Sequence, residues 1–101
     1  MIAAPIYWYN FPSKLKALID NMFSFYAAGK EIGHKRTAIL SCGQATDYQM
    51  FDGIQRTYEL IARALSWSIA GQIYIPGTLE AGDIQKTDGL KRSEALGAHF
   101  F

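Results

Sequence analysis

Short apolar runs alternate along the chain with stretches in which apolar residues recur every third or fourth position, the pattern of strands exchanging with amphipathic helices. Met1-Ile2-Ala3-Ala4 is an unbroken apolar run that stops at Pro5, where a ladder lacks a donor, and it predicts a buried parallel strand. After a loop from Ile6 to Phe11, the residues Leu15, Leu18, Ile19, Met22 and Tyr26 fall at helical spacing. Pro12 is expected in the first turn of that helix, and Ala27-Ala28-Gly29 at its end. Lys16 and Asp20 form an i, i+4 pair off the apolar stripe.

Thr37 to Cys42 predicts a second strand, closed by Gly43. Thr46 and Gln49 have capping-box spacing ahead of a long helix striped by Met50, Phe51, Ile54, Tyr58, Ile61, Ala62 and Leu65. A third strand is expected from Ile69 to Ile75, ended by Pro76-Gly77. Asp83, Thr87 and Asp88 are candidate caps for a last helix carrying Leu90, Leu96, Phe100 and Phe101, weakened by Gly89 and Gly97. The order is βαβαβα, a single α/β domain over residues 1–101 with a small parallel sheet flanked by helices. With right-handed crossovers, ligands bind beyond the carboxyl ends of such strands, which directs attention to the loops Ile6 to Phe11, Gly43 to Thr46 and Gly77 to Gly82.

Composition narrows the function classes. The formal charge of +1 gives no electrostatic reason to expect nucleic acid or an anionic membrane as partner. The one basic cluster, Lys30 with His34-Lys35-Arg36, reads as a solvated turn between helix and strand. A lone cysteine, Cys42, closes no intramolecular disulfide and fits a reducing compartment. No apolar window reaches the roughly 18 residues of a membrane span, and the opening residues carry no basic flank of a signal peptide, so the expected address is the cytoplasm.

The most unusual segment is Pro5-Ile6-Tyr7-Trp8-Tyr9-Asn10-Phe11-Pro12, with four aromatics within five positions of a loop. Exposed aromatic loops are costly. Either the rings fold back onto the core or onto another chain, or they form the wall of a site for a flat, conjugated ligand.

The stretch Ala4 to Asn21, Ala-Pro-Ile-Tyr-Trp-Tyr-Asn-Phe-Pro-Ser-Lys-Leu-Lys-Ala-Leu-Ile-Asp-Asn, resembles the motif of the flavodoxin-like NAD(P)H-dependent FMN reductases. In that family a Pro-x-Tyr-Trp stretch after the third strand leads to a helix with Leu-Lys-x-x-x-Asp, here Leu15-Lys16 and Asp20. Leu40-Ser41-Cys42-Gly43-Gln44 is similar to the family's loop after strand four, and Ile73-Tyr74-Ile75-Pro76-Gly77 to its fifth-strand exit. The resemblance covers nearly the whole chain. It implies FMN as cofactor and NAD(P)H as cosubstrate, with cofactor-binding residues Pro5, Tyr7, Trp8, Tyr9 and Asn10 on one border of the isoalloxazine ring and Cys42, Gly43 and Gln44 on the other. The cofactor supplies the reactivity in such chemistry, so no side chain is required as a catalytic residue.

The sequence departs from the family at its start. Members open with a strand and a Ser/Thr-rich loop whose backbone donors hold the FMN phosphate, and this chain starts at what corresponds to strand three. The resemblance therefore implies an N-terminally truncated, partial flavodoxin-like fold without the phosphate anchor. In a sheet of order 2-1-3-4-5 the first strand, Met1 to Ala4, is then an unpaired edge, and the last helix lacks a neighbour. Both surfaces call for a homo-oligomer joined through that strand. The alternative to a flavin-dependent oxidoreductase is a non-enzymatic remnant or self-association module of the same fold.

Other chemistries find little support. His34, His99 and Cys42 lack metal-ligand spacing, so no metal site is expected. Ser41-Cys42-Gly43 lacks a nucleophile elbow and an assigned base. Glu80, Asp83 and Asp88 read as turn and cap residues, and Met22 and Met50 as core.

Overall fold

The computed structural model describes residues 1–100, so the expected apolar position Phe101 lies outside the described residues. Three parallel strands, β1 (Ile2–Pro5), β2 (Arg36–Cys42) and β3 (Ser68–Ile75), lie in the order β1-β2-β3. Between them run a broken helix, α1 (Ser13–Asn21) with α2 (Phe23–Ala27), and α3 (Asp52–Ala64); α4 (Gly89–Phe100) follows β3. This is the expected α/β arrangement, βαβαβα around a small parallel sheet.

Several local details differ from the sequence reading, each for a physical reason. Pro5 belongs to β1 instead of ending it, in register with Cys42. The Ile6 amide donates to the Cys42 carbonyl at 2.9 Å, so by strand parity Ala4 and Ile6 face β2 whereas Ala3 and Pro5 turn their backbone groups to the outer edge. The missing proline donor therefore breaks no ladder bond. Pro12 is extended (φ −56°, ψ 145°) and caps α1 from outside, its carbonyl accepting from the Lys16 amide at 2.9 Å. The expected single helix is interrupted at Met22, whose amide turns back three residues to the Ile19 carbonyl at 3.0 Å. Leu15, Ile19 and Met22 face the core, but Leu18 is 64% and Tyr26 54% exposed.

The start of the long helix also differs. Asp47, not Thr46, caps a 3₁₀ turn (Tyr48–Phe51) that leads into α3, accepting from the Gln49 amide at 2.8 Å. The stripe itself is as expected: Met50, Phe51, Ile54, Tyr58 and Ala62 are buried, with Ile61 and Leu65 half-buried. They close on Phe11, Ile19, Ile39 and Tyr74 as one core on a single face of the sheet. At the far end, Asp83 caps a turn by accepting from the Leu79 and Glu80 amides at 3.2 and 2.9 Å, which holds its carboxyl below the ordinary range. Thr87 accepts from the Gly89 amide at 3.1 Å, and Asp88 makes an ion pair with Arg92 at 3.7 Å.

On the opposite face α4 packs over β3. Two glycines allow that approach: a Cβ on Gly71 would strike Leu96, and one on Gly89 would strike Ile75. Arg36 is exposed as expected but opens β2 instead of sitting in a turn, and its guanidinium donates to the Phe100 and His99 carbonyls at 3.1 and 3.4 Å, closing the C-terminus of α4. Beside α4, over β1 and β2, the face is an open apolar groove of about 400 Å³ lined in part by Pro5, Leu40, Cys42 and Leu90. Leu90 is 53% exposed along it.

Candidate functional site

The loops that follow β2 and β3 are joined by backbone bonds that extend the sheet's order beyond its last residues. Gly43 donates to the Ile75 carbonyl at 3.0 Å, Gly77 to Ala45 at 2.8 Å and Thr78 to Gly43 at 2.9 Å. The Thr78 hydroxyl also donates to the Gly43 carbonyl at 3.0 Å. Gly43 is buried for a steric reason: a Cβ there would lie 2.7 Å from Ile6 Cγ2 and 2.8 Å from the Met50 sulfur and methyl. Only glycine lets Ile6 and Met50 meet as a floor.

Above that floor stands the aromatic loop. Tyr7 and Asn10 exchange backbone bonds, at 3.0 Å from Tyr7 N to Asn10 O and 3.2 Å from Asn10 N to Tyr7 O, which makes Trp8 and Tyr9 the two central residues of a tight hairpin turn. Both are left-handed, with φ of 50° and 72°. That double positive φ is the turn shape normally taken by Asn-Gly, and for bulky side chains it costs roughly 1–2 kcal/mol at each position. Strain of this kind gathers at functional sites, where surrounding structure holds it in place. Trp8 is also 91% exposed, its ring centroid 5.7 Å from that of Tyr9 at an interplanar angle of 54°. A strained backbone that places an indole in water does not serve the core.

Ile6, Trp8, Tyr9, Gln44, Ala45 and Met50 line a shallow groove of about 260 Å³. Its walls carry aromatic rings and aliphatic groups, one side-chain amide, and no charged side chain. No family model, curated protein or solved structure matches the chain. The geometry therefore carries the functional argument by itself.

The residues singled out from sequence divide into three groups. Trp8, Tyr9 and Gln44 come together in the groove, with Gly43 beneath it. Tyr7 is exposed beside it, and Asn10 serves the turn instead of lining the groove. Pro5 and Cys42, register partners on β1 and β2, line the other groove, on the α4 side of the sheet. Ile6, Ala45 and Met50 complete the lining and were not singled out as site residues. Met50 belongs to the helical stripe of the core, so no sequence signal marked its second role.

Elsewhere, polar groups are structural. The Tyr58 hydroxyl donates to Thr37 Oγ1 at 3.1 Å and the Tyr74 hydroxyl to Gln72 at 2.8 Å, and burial pushes both phenols above their ordinary value of 10.0. Among the described residues Ser41 Oγ is buried with no hydrogen-bond partner. Among the described residues no cluster of His, Cys, Asp and Glu could hold a metal ion, and no helix is long and apolar enough to cross a membrane.

Proposed function

We propose that the chain binds the isoalloxazine ring of a flavin in the groove beneath Trp8 and Tyr9 and works as a cytoplasmic NAD(P)H-dependent FMN reductase. The observation that carries this reading is the strained pair of exposed rings at the carboxyl end of a parallel sheet, which share one apolar-floored groove with Gln44. Trp8 and Tyr9 offer faces for a conjugated tricycle, Ile6 and Met50 offer its apolar seat, and Gln44 can hydrogen-bond its polar edge. About 260 Å³ is below the roughly 300–1,000 Å³ of pockets that engulf a drug-sized ligand, so the groove suits a ring system whose ribityl chain and phosphate lie outside.

A bound flavin supplies hydride acceptance from a nicotinamide and onward reduction of a small acceptor. The protein's own residues bind and orient the ring and shed water from the apolar floor. With no cation in the lining, the phosphate adds little to binding. Titration with FMN and with riboflavin, followed by quenching of flavin fluorescence, is expected to show saturable binding of both with dissociation constants within about threefold. Absence of binding by either ligand overturns the proposal.

A second reading, self-association without catalysis, is favoured by the outer edge of β1. By strand parity Ala3 directs its N–H and C=O away from β2, next to the uncovered apolar groove. Paired edges in a symmetric dimer would satisfy those groups. Light scattering at micromolar concentration is expected to give at least a dimer, and a folded monomer removes this reading.

A further inference from the structure

We infer that Thr57 and Gly53, both on α3, are positioning residues that hold the Trp8–Tyr9 turn in its left-handed form and so set the rings at the mouth of the groove. The turn's own two backbone bonds close a very short hairpin, which is marginal in water without outside support. Two bulky residues at positive φ leave that turn still less able to hold itself. Something beyond the loop must select this shape, and the contacts that do so come from one face of α3.

The first contact is polar. Asn10 Nδ2 donates to Thr57 Oγ1 at 3.2 Å, while Asn10 Oδ1 accepts from the Phe11 amide at 2.9 Å. Both ends of the carboxamide are in use, so its orientation is fixed: a flipped amide would turn NH₂ against an N–H. The residue that ends the turn is thereby fastened to the helix on one side and to its own chain on the other. The second contact is steric. A Cβ on Gly53 would lie 2.8 Å from the Tyr9 carbonyl oxygen, nearer than any side-chain carbon rests against backbone. Gly53 thus provides the notch into which the second left-handed residue settles.

Gly53 and Thr57 are four residues apart, hence neighbours on one helix face, while Ile54 and Tyr58 on the adjacent face enter the core. Gly53 is the second residue of α3, and it stands where the backbone of the turn comes closest. Phe11, buried immediately after Asn10, anchors the exit of the loop. The turn is therefore seated at its second central residue, at its last residue and at the residue that follows.

The inference rests on the flavin reading for its binding readout only; the conformation of the turn is measurable in the free protein. Three variants of the full chain separate the roles: Thr57→Val removes the hydroxyl at nearly constant shape, Thr57→Ser restores it, and Gly53→Ala fills the notch. The near-UV circular dichroism of the paired Trp8 and Tyr9 rings is expected to fall in Thr57→Val and Gly53→Ala towards that of Trp8→Ala, and to return in Thr57→Ser. Riboflavin affinity is expected to drop about tenfold in Thr57→Val and Gly53→Ala and to recover to within about threefold of wild type in Thr57→Ser. Unchanged dichroism in a folded Thr57→Val variant overturns the inference, as does unchanged riboflavin affinity accompanied only by a lower melting temperature. If wild type itself fails to bind riboflavin, the flavin reading falls, and the dichroism of Thr57→Val against Thr57→Ser still decides the positioning role. If Gly53→Ala does not fold, the threonine pair gives the same decision.

Discussion

Trp8 offers a direct measure of what the left-handed turn costs. Two substitutions separate its backbone from its ring: Trp8→Ala removes the ring but keeps a residue that disfavours positive φ, whereas Trp8→Asn removes the ring and supplies a residue that visits this region readily. Because Trp8 is 91% exposed, the part of its surface that is buried amounts to roughly 20 Å² of a side chain of about 250 Å², or about 0.5 kcal/mol. Loss of the ring therefore destabilises both variants by about 0.5 kcal/mol. Relief of the backbone returns about 1 kcal/mol to the Asn variant, the lower end of the left-handed penalty.

The expected order is Trp8→Asn above wild type by about 0.5 kcal/mol and Trp8→Ala below it by a similar amount. The gap of about 1 kcal/mol corresponds to a difference of about 4–8 °C in melting temperature for a domain near this size. Urea and thermal unfolding followed by far-UV circular dichroism compares all three proteins. In the two variants Trp67, whose indole donates to the Gly33 carbonyl at 3.1 Å, is the sole tryptophan and gives an independent fluorescence signal. Equal stability of the Ala and Asn variants would show that residue 8 carries no conformational penalty, and the argument for a strained, purpose-built turn would fall with it. Both variants are expected to lose most riboflavin binding, so a protein made more stable would be made less able to bind.

Other consequences are open to simpler measurements. Gly89→Ala would place a Cβ against Ile75, 2.8 Å from its Cγ1 and 3.1 Å from its Cγ2, so the branch point itself must move; a loss of about 1–2 kcal/mol in urea unfolding is expected, and unaltered stability would show that α4 is free to lift from β3. Tyr58 and Tyr74 stay protonated in the fold above pH 10.0, where the same phenols ionise in the unfolded chain, so the folded state binds more protons there; their stabilisation is complete below that pH and declines as pH climbs further. Urea midpoints between about pH 9 and pH 11 are expected to fall, less steeply in Tyr74→Phe, and a flat profile in wild type would refute the assignment. Ala3→Lys, which sets a charge on the outer strand without touching the ladder to β2, is expected to shift any oligomer towards monomer in light scattering; an unchanged mass would place the contact elsewhere.

Much of the fold was legible because hydrophobic spacing reports burial. Seven apolar positions from Met50 to Leu65 all turn inward, and the strand runs ending at Cys42 and Ile75 hold their places to within a residue at either end. Less legible were features decided between neighbouring residues or by tertiary contact. Thr46 and Asp47 both carry a capping oxygen, and only the chain's path selects Asp47. Met22 has a sound helical position in the pattern, yet the helix breaks there; Leu18, within α1, and Tyr26, beyond the break, are both exposed.

The site was half legible. An aromatic cluster at the end of a strand points to Trp8 and Tyr9, whereas Gln44 is indicated only by the resemblance of Leu40 to Gln44 to a family loop. That Pro5 and Cys42 open onto the other side follows from strand alternation, which sends successive residues to opposite faces whatever loop they approach. The left-handed turn had no local signature, since Trp-Tyr is an unusual occupant of a shape that favours Asn-Gly. Its trace was distant in sequence: Gly53, a weak helix residue with a backbone carbonyl resting where a side chain would be.

The alternation along β1 has a consequence for exchange with solvent. Ala4 and Ile6 give their amides to β2, so deuterium reaches those positions only when the strand detaches. Ala3, the residue between Ile2 and Ala4, holds its amide outward and exchanges without any such opening. The first strand thus records in its labelling pattern, residue by residue, whether its outer side is bare or occupied: slow exchange at Ala3 would betray a neighbour at that edge even where no complex survives dilution.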